Sequence, residues 1–200
     1  MRIFVALDLT AAIRQNIATL MEGIRPYAPE ARWVRPEPLH VTLKFIGEQK
    51  PESVEEIQHQ LAGIRVPPFE MSLRGYGFFP TAKSPRVFWV GIQAGEELAA
   101  LAAQVDSSLV SVPREQHAFS PHLTLARDGG RSGAPRRQKG DRPHSRFHLL
   151  QERLEKLPPM DFGTMRADAF FLYQSHLGPG GSKYTKLARF PLQQSGESQK

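Results

Sequence analysis

Cysteine is absent from all 200 residues. No disulfide framework, thiol nucleophile or thiolate metal site can be built, although this absence is compatible with any compartment. Long apolar runs are missing too. No stretch approaches the ~20 residues that a membrane helix needs, and the opening MRIFVALDLT is too short and too alternating for a signal peptide's apolar region. The sequence lacks a His-Glu-x-x-His metal motif and a Gly-x-Ser-x-Gly elbow, and GPGGSK at 178–183 lacks phosphate-loop spacing and reads as a turn. With 40% hydrophobic and 23% charged residues, the expectation is a soluble, cytoplasmic globular protein.

Acidic charge is in short supply, and the formal net charge is +6. That points only weakly to an anionic partner, because many basic proteins bind nothing specific. The excess is concentrated: between Asp128 and Arg146 the cations Arg131, Arg136, Arg137, Lys139, Arg142 and Arg146 face only Asp128 and Asp141. The Gly, Ser, Pro and Arg content there reads as a flexible loop over 129–146.

What the chain does contain is regular patterning. Ile3, Val5, Leu7 and Leu9 predict a strand, and Thr10 then suits the N-cap of a helix carrying Ile13, Ile17, Leu20, Met21 and Ile24. Helical spacing returns at Val54, Ile57, Leu61 and Ile64, at Leu98, Leu101, Ala102, Val105 and Leu109, and at Phe147, Leu150, Leu154 and Leu157. Strands are expected over Leu39 to Gly47, Phe69 to Phe79, Arg86 to Ile92, around His122, around Met165 to Tyr173, and over Tyr184 to Phe190.

In order, helix, histidine strand, helix, strand, strand occurs twice, with the N-terminal strand extra. This predicts an α+β, bilobal, pseudo-twofold duplicated fold. Two antiparallel sheets face a central cleft, with helices outside. The expected extent is a single domain over 1–192, carrying the basic insertion at 129–146, then a polar tail at 193–200.

The two histidine strands carry the chemistry. In LHVTLKFIG, Val41, Leu43 and Phe45 alternate with His40, Thr42 and Lys44, so one face is oily and the other carries an imidazole and a hydroxyl. Same-side residues project about 6.5 to 7 Å apart, close enough to share one small anion. PHLTLAR repeats the arrangement with His122 and Thr124. Phosphate-ester chemistry without metal needs a base, an acid and donors for the non-bridging oxygens. Two imidazoles, with an ordinary pKa of about 6.5, and two hydroxyls meet that list. A lone His-x-Thr is unspecific; two copies in matched frames are not. His117, five residues before the second motif, reads as a loop residue, and His59, His144, His148 and His176 have no partner pattern and read as surface.

HVTL at His40 to Leu43 and HLTLAR at His122 to Arg127 resemble the paired motifs of the two-histidine phosphoesterases, in particular the LigT-like RNA 2′,3′-cyclic phosphodiesterases. The opening RIFVALDL, the FIGE after the first motif and the closing LGPGGSKYTKLARFPL extend the resemblance over nearly the whole chain. It implies metal-independent hydrolysis of a terminal RNA 2′,3′-cyclic phosphate to a 2′-phosphomonoester, with no cofactor. His40 would be the proton donor and His122 the proton acceptor, and near-symmetry leaves the exchanged roles open. Thr42 and Thr124 would bind the phosphate oxygens, Arg127 would pair with the phosphate, and Phe45 would lie against the terminal base.

Strict alternation puts Phe45 and Arg127 on the face opposite the histidines, so both assignments require a strand end or a bulge. The expected partner is RNA ending in a 2′,3′-cyclic phosphate, tRNA fragments included, with no membrane and a monomeric protein. The basic loop reads either as a solvated insertion or as a contact to the RNA backbone. The same site could serve a 2′-5′ RNA ligase, a 2′,5′-oligonucleotide or cyclic-nucleotide phosphodiesterase, or a non-catalytic RNA-binding protein.

Overall fold

The computed structural model describes residues 1–129, 147–178 and 181–193. The basic insertion and the polar tail, apart from Gly129 and Gln193, lie outside the described residues. In chain order the elements are β1 (Arg2–Asp8), α1 (Ala11–Ile24), a 3-10 turn (Arg25–Tyr27), β2 (Arg32–Trp33), β3 (His40–Glu48), α2 (Ser53–Ala62) and β4 (Phe69–Thr81). There follow β5 (Ser84–Ala94), α3 (Glu96–Ser108), β6 (His122–Arg127), α4 (His148–Leu154), β7 (Asp161–Ala167), β8 (Ala169–Gly178) and β9 (Gly181–Pro191). The strands make two antiparallel sheets, β3-β1-β8-β9 and β2-β6-β5-β4-β7.

The helices form where apolar spacing and caps agree. Thr10 accepts the Ile13 N–H at 3.4 Å, a cap of a kind that contributes about 1 kcal/mol. Ile13, Ile17, Met21 and Ile24 are the buried face of α1, each side chain contributing roughly 1.5–3 kcal/mol by leaving water. The buried faces of α2, α3 and α4 likewise use the residues that the spacing picks out. α1 follows β1 of the first sheet yet packs on β7 of the second, and α3 follows β5 of the second yet packs on β3 of the first. The helices thereby tie the two sheets to one another, and one continuous core runs through both.

Two expectations need correction. The N-terminal strand is not extra: β1 lies antiparallel beside β3, as β5 lies beside β6. The repeat therefore begins one strand earlier, as strand, helix, histidine strand. The second concerns Met165 to Tyr173, which is two strands rather than one. β7 ends at Ala167 on the edge of the β6 sheet, and β8 begins at Ala169 beside β1. The chain crosses between sheets at Asp168, a change that one continuous β-rich run does not betray. Among the described residues, no helix is long and apolar enough to cross a membrane.

Candidate active site

His40 opens β3 and His122 opens β6, and the two strands pack against one another where the sheets meet. Each imidazole is half-buried and held in the same way. His40 Nδ1 lies 2.7 Å from the Pro38 carbonyl oxygen, and His122 Nδ1 lies 2.7 Å from the Ser120 carbonyl oxygen. A carbonyl only accepts, so Nδ1 carries the proton in both rings and Nε2 is left to exchange protons.

The register then interrupts the alternation at the same point in both motifs. Opposite β1, Thr42 pairs with Ala6 and Lys44 with Val5, so Leu43 is the extra residue of a bulge. Opposite β5, Thr124 pairs with Trp89 and Ala126 with Phe88, so Leu125 is the extra residue. A bulge shifts the phase by one residue. Phe45 consequently shares a face with His40 and Thr42, opposite Phe4 and 58% exposed. Arg127, also exposed, shares a face with His122 and Thr124. The same bulge corrects the expected oily face. Phe45 is not on it, and Lys44 is driven into the interior at 2% exposure. There its ammonium donates to Asp106 Oδ1 at 2.5 Å and to the Pro113 carbonyl at 2.9 Å, with Glu115 at 4.0 Å. β3 is thereby tied to α3 and to the connection that leads into β6.

The surroundings of the two histidines differ. His40 stands on an aromatic floor: its ring centroid is 4.6 Å from Phe4, 5.0 Å from Tyr184 in an edge-on contact, and 6.0 Å from Tyr173. Burial among these rings lowers its pKa below 6.5, against the opposing effects of the Pro38 hydrogen bond and the nearby Asp8 carboxylate. Asp8 is the residue opposite His40 on β1 and is bound by Arg14 and by Lys186, the latter at 2.6 Å. Burial also raises the Tyr173 phenol far above its ordinary value, which keeps it a neutral donor. His122 has Phe79 edge-on at 4.9 Å and Trp89 at 6.3 Å. Trp89 lies flat over Gly77, where a Cβ would come within 2.2 Å of the indole.

Sequence reasoning missed Asp8, Phe4, Tyr173, Tyr184, Phe79 and Trp89. Their only signal was that Phe4, Ala6 and Asp8 alternate with the core residues of β1; strand register, which sequence does not print, sets the rest. The histidines without a motif that can be placed, His59, His117, His148 and His176, are exposed, while His144 lies outside the described residues.

The comparisons with known proteins agree with this arrangement. The family model "LigT like Phosphoesterase" matches residues 7–89. An RNA 2′,3′-cyclic phosphodiesterase of Methanothermobacter thermautotrophicus is 32% identical across 96% of this chain and 98% of its own length. One of Archaeoglobus fulgidus is 32% identical across 95% and 99%. Among solved structures, Escherichia coli LigT complexed with 3′-AMP superposes with a TM-score of 0.74 at 28% identity, covering 96% of this chain and 98% of that one. The chain belongs to the LigT-like phosphoesterases, a family of the two-histidine superfamily.

Proposed function

We propose that the protein is an RNA 2′,3′-cyclic phosphodiesterase that opens a terminal cyclic phosphate to a 2′-phosphomonoester, acting in the cytoplasm as a monomer on RNA ends, tRNA fragments among them. The observation that carries this reading is the matched presentation of two Nε2 atoms by Nδ1–H contacts to the carbonyl two residues back, each beside a threonine on the same strand face. The relatives that match over the full length bear that activity's name.

In the reaction, water attacks phosphorus while its proton passes to Nε2 of His122. The bond from phosphorus to the 3′ oxygen breaks, and that oxygen takes the proton from Nε2 of His40. The product has a 3′ hydroxyl and a 2′ phosphate, and solvent exchange returns each imidazole to its starting state. Thr42 and Thr124 donate hydroxyl protons to the non-bridging oxygens, Arg127 neutralises charge on the phosphate, and Phe45 stacks on the terminal base. Burial disfavours the protonated form of His40 in the free protein; the substrate's negative charge favours the proton that the acid role needs.

The test is an oligoribonucleotide ending in a 2′,3′-cyclic phosphate, incubated with the protein in EDTA, with the product identified as 2′- or 3′-phosphate. A 2′-phosphate that vanishes in both His40→Ala and His122→Ala supports the reading. A 3′-phosphate, or no product at all, overturns it.

A further inference from the structure

A cavity of about 870 Å³ opens beside His40, on the side away from Phe45 along β3. Its cations come from four separate parts of the chain: Arg14 from α1, Arg25 from the 3-10 turn, Arg35 from the connection between β2 and β3, and Lys183 and Lys186 from β9. Two carboxylates, Asp8 and Glu37, also line it. Asp8 is already bound by Arg14 and Lys186, while Arg25 donates to the Val34 carbonyl at 3.2 Å and keeps its charge. Arg35 and Lys183 are exposed and have no ion-pair partner among the described residues. The cavity is thus strongly cationic after its internal pairs are formed, and His40, Tyr173 and Tyr184 stand at its inner end.

Chain chemistry decides what it holds. A 2′,3′-cyclic phosphate is the end of a strand, so covalent chain leaves it in one direction only, toward the 5′ side. The terminal base is accounted for at Phe45, and the rest of the strand needs a path away from the histidines. Cations spread around an open cavity on four segments suit a run of phosphodiesters, whereas one small anion calls for convergent donors. The volume falls within the ~300–1,000 Å³ usual for ligand pockets.

We infer that the cavity lined by Arg14, Arg25, Arg35, Lys183 and Lys186 holds the phosphodiester backbone of the RNA 5′ to the reacting end. The inference rests on the function proposed above and adds what that function leaves open: the protein selects polynucleotides over mononucleotides, and this surface is where it does so. Arg35 and Lys183 are the residues to change, because neither takes part in the ion pairs that hold Asp8 beside His40.

The experiment pairs binding with turnover. A 5′-fluorescent hexanucleotide ending in a 2′-phosphate is titrated with the parent protein and with the double variant Arg35→Gln/Lys183→Gln at low salt, following anisotropy. The expected loss is about tenfold in affinity, with the slope of log K against log salt reduced by about 1.4, at roughly 0.7 per phosphate contact in a single strand. Turnover of a mononucleoside 2′,3′-cyclic phosphate should stay within twofold of the parent, about 0.4 kcal/mol by the tenfold-per-1.4 conversion. Unchanged hexanucleotide affinity overturns the inference. So does an equal loss for the hexanucleotide and for inorganic phosphate competing at the site, which would make the cavity a small-anion site. If neither substrate is turned over by the parent protein, the proposed activity fails, while the binding arm still decides the inference.

Discussion

The half built on β3 and the half built on β6 use one backbone device in two environments. Each carries His-x-Thr-Leu, each has its imidazole oriented by the carbonyl two residues back, and each bulges at the leucine. Past the bulge they diverge: the first half presents Phe45 and the second Arg127. Beneath the histidines they diverge again. His40 rests among Phe4, Tyr173 and Tyr184 near Asp8, and His122 sits against Phe79 and Trp89. The duplicated device therefore places the two Nε2 atoms alike, and the unmatched surroundings suit them to the separate proton transfers proposed above.

The largest effect should come from removing either nitrogen. His40→Ala and His122→Ala should each lower kcat by about 10²–10⁴-fold, the usual contribution of a general acid or base, with little change in oligonucleotide affinity measured by anisotropy. A loss confined to one half would break the comparison. The residues after the bulges should separate more finely. Phe45→Ala should cost about 1–3 kcal/mol of binding through lost stacking, visible as a raised KM that disappears when the terminal nucleotide is abasic. Arg127→Gln should lower kcat/KM by a similar amount, about 1.5–3 kcal/mol for a charged hydrogen bond, with or without that base.

The tie between the halves should be read in stability rather than in catalysis. Lys44→Met keeps the bulk of the side chain but leaves Asp106 without its chief partner. Because Asp106 is 19% exposed, the cost should be about 1–3 kcal/mol, less than for a fully buried pair, read by urea unfolding at neutral pH. The Asp106 carboxyl is held below its ordinary 3.8 chiefly by the hydrogen bond from Lys44. A depressed carboxylate contributes stability that is present above its unfolded value and is lost as pH falls through the folded one. The parent should therefore lose stability below pH 3.8 more steeply than Lys44→Met does.

The subtlest prediction concerns pH. His40 as the acid must be protonated, and burial lowers its pKa in the free protein. The alkaline fall of kcat/KM, which reports the free protein, should therefore lie at lower pH than the fall of kcat, which reports the bound state. A kcat/KM profile still rising above neutral pH would contradict the assignment of His40 as acid.

Much of this was legible in the chain itself. The helices follow apolar spacing, Thr10 caps where its hydroxyl suggests, and the conflict between strict alternation and the expected face of Phe45 and Arg127 already called for bulges. The burial of Lys44 was not legible, since a lysine in an alternating strand reads as solvent-facing until Asp106, 62 residues away, is brought beneath it. The aromatic floors were not legible either. Phe4 reaches His40 through the β1–β3 register, and Tyr173 and Tyr184 arrive from a hairpin of the other half of the chain. The pairing of distant strands decides such contacts, and local pattern carries no trace of it.

In the proposed reaction two histidines held alike perform opposite proton transfers. The most direct measurement replaces the bridging 3′ oxygen of the cyclic phosphate by sulfur, a leaving group that departs without a proton, and compares His40→Ala with His122→Ala on both substrates. Sulfur should restore His40→Ala to within about tenfold of the parent, the span of 1.4 kcal/mol in a barrier, and leave His122→Ala as impaired as before. Rescue of His122→Ala instead, or of neither, would contradict that reaction.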